Sequence, residues 1–207
     1  MTPSPASAAF APSRSPANPG RIAPSSELPQ AQRAALERLR QALDSAPLAL
    51  PGDARRRALR AALGAFATQA DLDALLQPAF MPQAGAYQRH LLLADPQGRY
   101  SVVAIVWQRD QYSPVHGHHT WCAYSVVRGA LSEASFDWCE AAQAAQLKTT
   151  SAADLRLPGE VSYTDAGHGG IHRLGNPHAE PAISVHIYGV PGEHITTAVN
   201  DLVAVNA

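Results

Sequence analysis

Apolar side chains in the first part of the chain recur at the three- and four-residue spacing of amphipathic helices. This spacing predicts a helical segment over residues 27–80, which starts near Ser25-Ser26-Glu27 and is interrupted by prolines. Four arginines, Arg55, Arg56, Arg57 and Arg60, are assigned to the solvent side of the second helix. The apolar positions are Ala35, Leu36, Leu39 and Leu43 in the first helix, Leu59, Leu63 and Phe66 in the second, and Leu72, Leu75 and Leu76 in the third.

The chain on either side of the helical segment has a different pattern. Residues 1–26 are rich in Pro, Ser and Ala and are predicted to form a disordered tail, because they cannot bury enough apolar surface to offset their ordering entropy. Residues 81–207 contain runs of Val, Ile and Tyr between turn residues, which favours a mainly β barrel or sandwich. The predicted strands are 86–94, 100–107, 121–128, 130–137, 160–164, 171–174, 182–188 and 194–199.

Composition narrows the class of protein. With 207 residues, of which 46% are hydrophobic and 16% charged, the chain can form one domain with a sizeable core. A net charge of −1 gives no reason to expect a nucleic-acid partner, and no apolar run is long enough for a membrane span. Two cysteines cannot form a disulfide framework, so a reducing, cytoplasmic location is expected.

Nine histidines are a reason to look for metal ligands, and His116 and His118 are the first candidates. They lie two residues apart where a strand is predicted to begin, so both side chains should point to the same face. The neighbouring His119 should point the other way. A His-x-His pair alone fits equally well with two surface histidines beside a turn.

The surrounding spacing resembles the two sequence motifs of the cupin superfamily. In the first motif, His116 and His118 are followed at the right intervals by Cys122, in the position of an acid, and by Gly129. In the second motif, Gly169, His172 and Asn176 match, although Gly167 replaces the proline. The resemblance implies a cupin-type double-stranded β-helix barrel with N-terminal α-helices, and it makes His172 the third ligand.

Replacement of the acid by Cys122 changes the chemistry expected of the metal. Many non-haem iron oxygenases use two histidines and one carboxylate. Three neutral imidazoles leave the full dipositive charge on the metal, which favours an anionic co-ligand such as a substrate thiolate. Imidazole ligands suit zinc, copper, iron and nickel, so the identity of the metal stays open at this point.

A second polar pattern lies near the end of the barrel. Ser184, His186 and Tyr188 alternate with apolar residues and should share one face of a strand. Buried polar side chains need hydrogen-bond partners, so an inward-facing stripe of this kind indicates a connected network. The alternative is a polar ladder on an exposed strand.

Together these residues resemble the cysteine dioxygenase family of thiol dioxygenases, over roughly residues 80–190. The resemblance implies an enzyme with one Fe²⁺ per chain, bound by His116, His118 and His172. It implies that Ser184 orients His186, that His186 orients Tyr188, and that Tyr188 steers the substrate. The expected partners are a small thiol acid and dioxygen, in a monomer or a weak homo-oligomer.

The same resemblance extends to the substrate pocket. Arg89 takes the position of the carboxylate anchor and Tyr87 also lines the pocket, although a slip of one residue would place Gln88 there instead. A surface arginine is the alternative. Cys122 resembles a cysteine that is linked by a thioether to the active-site tyrosine in animal members. A small buried apolar residue is an equal alternative for Cys122.

The expected reaction is oxidation of a cysteine-like thiol carboxylic acid to its sulfinic acid by dioxygen. 3-Mercaptopropionate and mercaptosuccinate are alternative substrates, since both place a carboxylate near a thiol. Mercaptopropionate members of the family that this chain resembles tend to have a carboxylate-binding arginine shortly after the tyrosine. No arginine follows Arg173 here, so the resemblance argues against that subgroup. An alternative of another class is a metal-binding cupin without oxygenase activity, either an isomerase or a binding module.

Overall fold

The computed structural model describes residues 30–68, 87–148 and 153–206. The disordered tail predicted over residues 1–26, the helix start predicted at residues 25–27 and the third predicted helix therefore lie outside the described residues. Within the described residues, two helices precede a series of mostly short strands.

The two helices are α1 (Gln30–Asp44) and α2 (Asp53–Ala67). Each has 15 residues, which is too short to span the apolar interior of a bilayer. Their apolar stripes are buried as the spacing predicts. The buried residues are Ala35, Leu36, Leu39 and Leu43 in α1, and Leu59, Leu63 and Phe66 in α2.

Two antiparallel sheets follow the helices in the described part of the chain. The first contains, in spatial order, β1 (Gln88–Ala94), β2 (Ser101–Trp107), β11 (Ala182–Tyr188), β5 (Cys122–Arg128) and β9 (Val161–Thr164). The second contains, in order, β12 (Asn200–Leu202), β4 (His116–His118), β10 (Gly167–Asn176), β6 (Leu131–Cys139) and β7 (Ala144–Leu147). Two short strands extend it: β3 (Gln111–Tyr112) pairs with β10, and β8 (Asp154–Arg156) pairs with β6.

The chain passes repeatedly between the two sheets, which is the arrangement of a cupin-type double-stranded β-helix. The predicted mainly β fold with N-terminal helices is therefore confirmed. The two sheets enclose an interior that contains both apolar residues and a group of polar ones.

Most of the predicted strands are present within a few residues, but the strand predicted over residues 194–199 is wrong. A 3₁₀ helix, Gly192–His194, and hydrogen-bonded turns occupy this region, and β12 starts only afterwards. The buried positions are Ile195 and Val199, which are four residues apart and therefore follow turn spacing, not strand alternation. The threonines between them have high strand propensity, which misled the prediction.

The helices cover the outer face of the first sheet. Val102, Ala123, Val185 and Ile187 share a core with the apolar stripes of α1 and α2. The alternate residues of the same strands face the barrel interior. Because both faces are covered, every residue of β2 and β11 is buried.

Arg55 corrects the prediction that all four arginines of α2 face solvent. It is 8% exposed, whereas Arg56 and Arg57 are exposed. Its Nη2 donates to Asp165 Oδ1 at 2.5 Å and its Nε donates to the Tyr163 hydroxyl at 2.9 Å. A guanidinium can be buried when its donors are satisfied, so Arg55 fastens α2 to the end of β9.

We expect Arg55→Gln to lower the free energy of unfolding by about 2 kcal/mol, because it removes charge-assisted hydrogen bonds from a buried position. Arg57→Gln is the matched control on the exposed side of the same helix and should change stability by less than about 0.5 kcal/mol. Urea unfolding followed by circular dichroism measures both changes. Equal stability of the two variants would contradict the proposed role of Arg55.

Candidate metal centre

Three histidines converge where β4 meets β10. His116 lies directly opposite His172 in the antiparallel pairing, and His118 is on the same face of β4. The ring centroids are 4.8–5.1 Å apart, and one nitrogen from each ring lies within 4.8 Å of the others. All three side chains are buried, whereas His119 is exposed as predicted.

The protonation of these rings suits metal binding. Burial lowers the pKa of His116 and of His118, so both rings are neutral near pH 7. The Nδ1 atom of His116 lies 2.9 Å from the Pro114 carbonyl oxygen, which can only accept a hydrogen bond, so the proton of His116 is on Nδ1 and the lone pair is on Nε2. The Nδ1 atom of His118 is buried without a hydrogen-bond partner among the described residues. Imidazoles with available lone pairs are suitable ligands for a divalent transition metal.

Glu133 is a part of the site that the sequence analysis missed. Its Oε1 lies 2.5 Å from Nδ1 of His172 and its Oε2 accepts a hydrogen bond from Nε of Arg156 at 2.6 Å. Burial acts to raise the pKa of Glu133, but the hydrogen bond from His172 and the charge of Arg156 outweigh burial and lower the pKa to about 2. The available signal was the position of Glu133 two residues after the buried Leu131, on the inward face of a predicted strand.

A chain of hydrogen bonds crosses the first sheet beside the histidines. Trp107 Nε1 donates to Ser184 Oγ at 2.9 Å, Ser184 Oγ lies 2.7 Å from His186 Nε2, and His186 Nδ1 lies 3.2 Å from the Tyr188 hydroxyl. The inward-facing network expected of Ser184, His186 and Tyr188 is therefore present. All three residues are buried, so the alternative of an exposed ladder does not apply.

Trp107 fixes the donor at one end of this chain of hydrogen bonds. An indole N–H can only donate, so Ser184 accepts from Trp107 and can donate its own proton to His186 Nε2. When Ser184 donates in this way, the proton of His186 is on Nδ1 and is donated to the Tyr188 oxygen, so that the tyrosine hydroxyl proton is not used in this chain. Burial lowers the pKa of His186 and raises that of Tyr188, so both groups are neutral near pH 7.

Arg89 borders the same cavity as the three histidines and Tyr188. Its guanidinium is buried and donates to the Ile195 carbonyl at 2.9 Å, the Asn200 side-chain oxygen at 3.2 Å and the Tyr87 hydroxyl at 3.3 Å. All of these partners are neutral, so none of the described hydrogen bonds of Arg89 compensates its charge. Asn200 is a second residue that the sequence analysis missed, since its strand was not predicted.

Tyr87 lies beside Arg89, and Cys122 lies beside Tyr188. Tyr87 lines the cavity and stacks on Trp107 with ring centroids 4.5 Å apart, whereas the side chain of Gln88 lies outside the described residues. Cys122 is the cross-strand partner of Tyr188, and burial raises the pKa of its thiol. It is a free cysteine in this structure.

Two cavities adjoin the histidines. The one beside Arg89 has a volume of about 10 Å³, and a larger cleft of about 180 Å³ lies on the side of Lys148 and Arg156. His118, Cys122 and His172 border both cavities. The histidine cluster therefore lies between a nearly filled interior space and an open cleft.

Part of this chain is similar in sequence to known proteins. Cysteine dioxygenase type 1 from Danio rerio is 27% identical over 113 residues, which are 54% of this chain and 55% of the relative. The enzyme of the same name from Rattus norvegicus is 30% identical over 107 residues, which are 51% of this chain and 52% of the relative. The chain thus spans about half the length of the curated relatives that it matches.

The solved structures that match this chain have low sequence identity. A Klebsiella pneumoniae protein with a double-stranded β-helix domain is 18% identical, with a TM-score of 0.42 over 59% of this chain and 83% of its own. A cupin 2 conserved barrel domain protein from Salinispora arenicola is also 18% identical, with a TM-score of 0.35 over 49% of this chain and 74% of its own.

The family comparison covers the region that contains the histidines, the hydrogen-bonded chain and Arg89. The model described as cysteine dioxygenase type I matches residues 79–198, which is more than half of the 207-residue chain. This protein belongs to the cysteine dioxygenase type I family, as the resemblance of its sequence motifs predicted.

Proposed function

We propose that this protein is an iron-dependent thiol dioxygenase that converts a small thiol carboxylic acid, such as cysteine, to its sulfinic acid. The observation that supports this most strongly is the composition of one cavity. Three buried imidazoles, the tyrosine hydroxyl of the hydrogen-bonded chain, and an arginine whose described hydrogen-bond partners are all neutral border the same space. A binding module for a metal alone has no use for the last two groups.

His116, His118 and His172 would bind the iron. Fe²⁺ bound there would supply the positive charge that attracts a thiolate, a site for dioxygen, and a redox-active centre through which the four electrons lost by the sulfur can reach dioxygen. Because all three protein ligands are neutral, an anionic thiolate is favoured over a neutral co-ligand. The covering helices and apolar strands would exclude water from the side of the first sheet.

Arg89 would bind the substrate carboxylate. Burying a cation with neutral partners costs free energy, and a carboxylate that accepts two hydrogen bonds from the guanidinium would compensate it. Tyr87 and Tyr188 line the same cavity and can donate hydrogen bonds to the carboxylate or to the reacting oxygen. These contacts would hold the thiol in one orientation relative to the metal.

The space beside Arg89 must widen when such a substrate binds. Its volume of about 10 Å³ is that of a single water site. Arg89 would have to exchange its bonds to Ile195 and Asn200 for bonds to the carboxylate. Both residues belong to the turns and short strand after the 3₁₀ helix, which have fewer backbone partners than the central strands.

Oxygen uptake by the iron-loaded protein tests the proposed function. Uptake should depend on cysteine, 3-mercaptopropionate or mercaptosuccinate, with one sulfinate formed per dioxygen consumed. His172→Ala should abolish uptake, and Arg57→Gln, on the exposed side of α2, should leave it unchanged. Tightly bound iron without thiol-dependent uptake would favour a non-oxygenase cupin and contradict the proposal.

The contribution of Arg89 can be separated from that of the metal. Arg89→Met should lower kcat/KM for the preferred thiol acid by about 10–100-fold, mainly through KM, because a charge-assisted pair with the carboxylate is lost. Cysteamine, which has the thiol but no carboxylate, should be affected much less. Equal losses of kcat/KM for the two thiols would show that Arg89 does not recognise the carboxylate. The metal content of both proteins is measured in parallel, so that a loss of metal is not mistaken for a loss of substrate binding.

A further inference from the structure

We propose that Glu133 is a positioning residue for the metal ligand His172, and that it supplies from behind this ligand the negative charge that the three neutral imidazoles lack. This inference rests on the proposed metal-binding function of the histidines. It concerns a residue that does not reach the centre of the cluster itself.

The first argument is the geometry of Glu133. It lies on β6, next to β10 in the second sheet, and is 4% exposed. One carboxylate oxygen is 2.5 Å from His172 Nδ1 and the other accepts from Arg156 at 2.6 Å. Both oxygens are therefore engaged, and the carboxylate is fixed from two sides.

The second argument is what this contact does to His172. A carboxylate can only accept here, so Nδ1 of His172 has the proton and the lone pair is on Nε2. An anionic acceptor also increases the basicity of the imidazole, which strengthens its bond to a metal. The equivalent atom of His116 faces the neutral carbonyl of Pro114 instead. The three imidazoles are therefore unequal, and His172 should be the strongest donor.

The third argument is the charge of the cluster. Cys122 occupies the position at which the cupin motif has an acid, so the residues facing the centre are neutral. Glu133 adds one negative charge near the site, and the ring of His172 lies between this charge and the metal position. Arg156 is 31% exposed at its side chain and borders the open cleft, so it can stabilise the carboxylate and still reach solvent.

A purely structural role for Glu133 would need only Arg156 as its partner. Arg156 also lies 3.7 Å from Asp154, a residue with 64% exposure that makes no contact with His172 in the structure. If Glu133 served only to hold β6 and β8 together, its second oxygen would not need a buried imidazole. The Asp154–Arg156 pair therefore provides a control in which the same arginine is affected without the histidine.

Binding of Co²⁺ to the metal-free protein, without any thiol, tests the proposal. Glu133→Gln keeps the shape of the side chain and removes its charge, so it should weaken Co²⁺ binding by about 10–100-fold in a chelator competition. It should also shift the visible d–d absorption of the Co²⁺ that does bind. Asp154→Asn should leave both the affinity and the spectrum unchanged.

Several outcomes would overturn the proposal. If Glu133→Gln lowers the unfolding midpoint of the metal-free protein but leaves Co²⁺ affinity and absorption unchanged, Glu133 has only a structural role. If this variant does not fold, Glu133→Asp replaces it, because it keeps the charge but shortens the reach to Nδ1. Weaker Co²⁺ binding by this variant supports the proposal, and unchanged binding contradicts it.

The same experiment distinguishes this inference from the proposed function. If the unmodified protein does not bind Co²⁺, or if His172→Ala binds it equally well, the three histidines do not form a metal centre and the proposed function fails. If the unmodified protein binds Co²⁺, His172→Ala does not, and the Glu133 variants behave like the unmodified protein, only the role of Glu133 is wrong.

Discussion

Antiparallel pairing of β4 with β10 is the constraint on which the metal centre depends. It places His116 directly opposite His172, and strand alternation adds His118 to the same face. Both strands lie inside the second sheet, with β12 on one side and β6 on the other, so their backbone positions are fixed before any metal binds. The three rings converge because the pairing and the strand alternation direct all three side chains to the same side of the sheet.

The two sheets contribute different chemistry to one cavity. The second sheet provides the imidazoles, one of which Glu133 contacts from outside this cavity, whereas the first provides Arg89 and the chain that ends at Tyr188. The first sheet can present polar groups inward because α1 and α2 bury its opposite face with apolar contacts. The N-terminal helices thereby exclude water from strands whose inner residues would perform the reaction.

The parts of the site that follow from strand alternation could be predicted from the sequence. A period of two and the motif spacing were enough to place His116 and His118 on one strand face. The same argument placed Ser184 and His186 on one face of another strand. Contacts between distant segments could not be predicted in this way. Arg55 was placed in solvent because its partner Asp165 is 110 residues away, and the pairing of Glu133 with His172 depends on the register of β6 with β10. The strand predicted over residues 194–199 failed because threonine propensity outweighed the spacing of buried positions.

X-ray absorption spectroscopy of the Fe²⁺-loaded protein tests the central claim most directly. The account predicts a first coordination shell with three imidazole ligands, in which anaerobic addition of cysteine produces a new iron–sulfur scattering path without loss of an imidazole. A first shell with fewer than three imidazoles, or one that does not change when saturating cysteine, 3-mercaptopropionate or mercaptosuccinate is added, would contradict it.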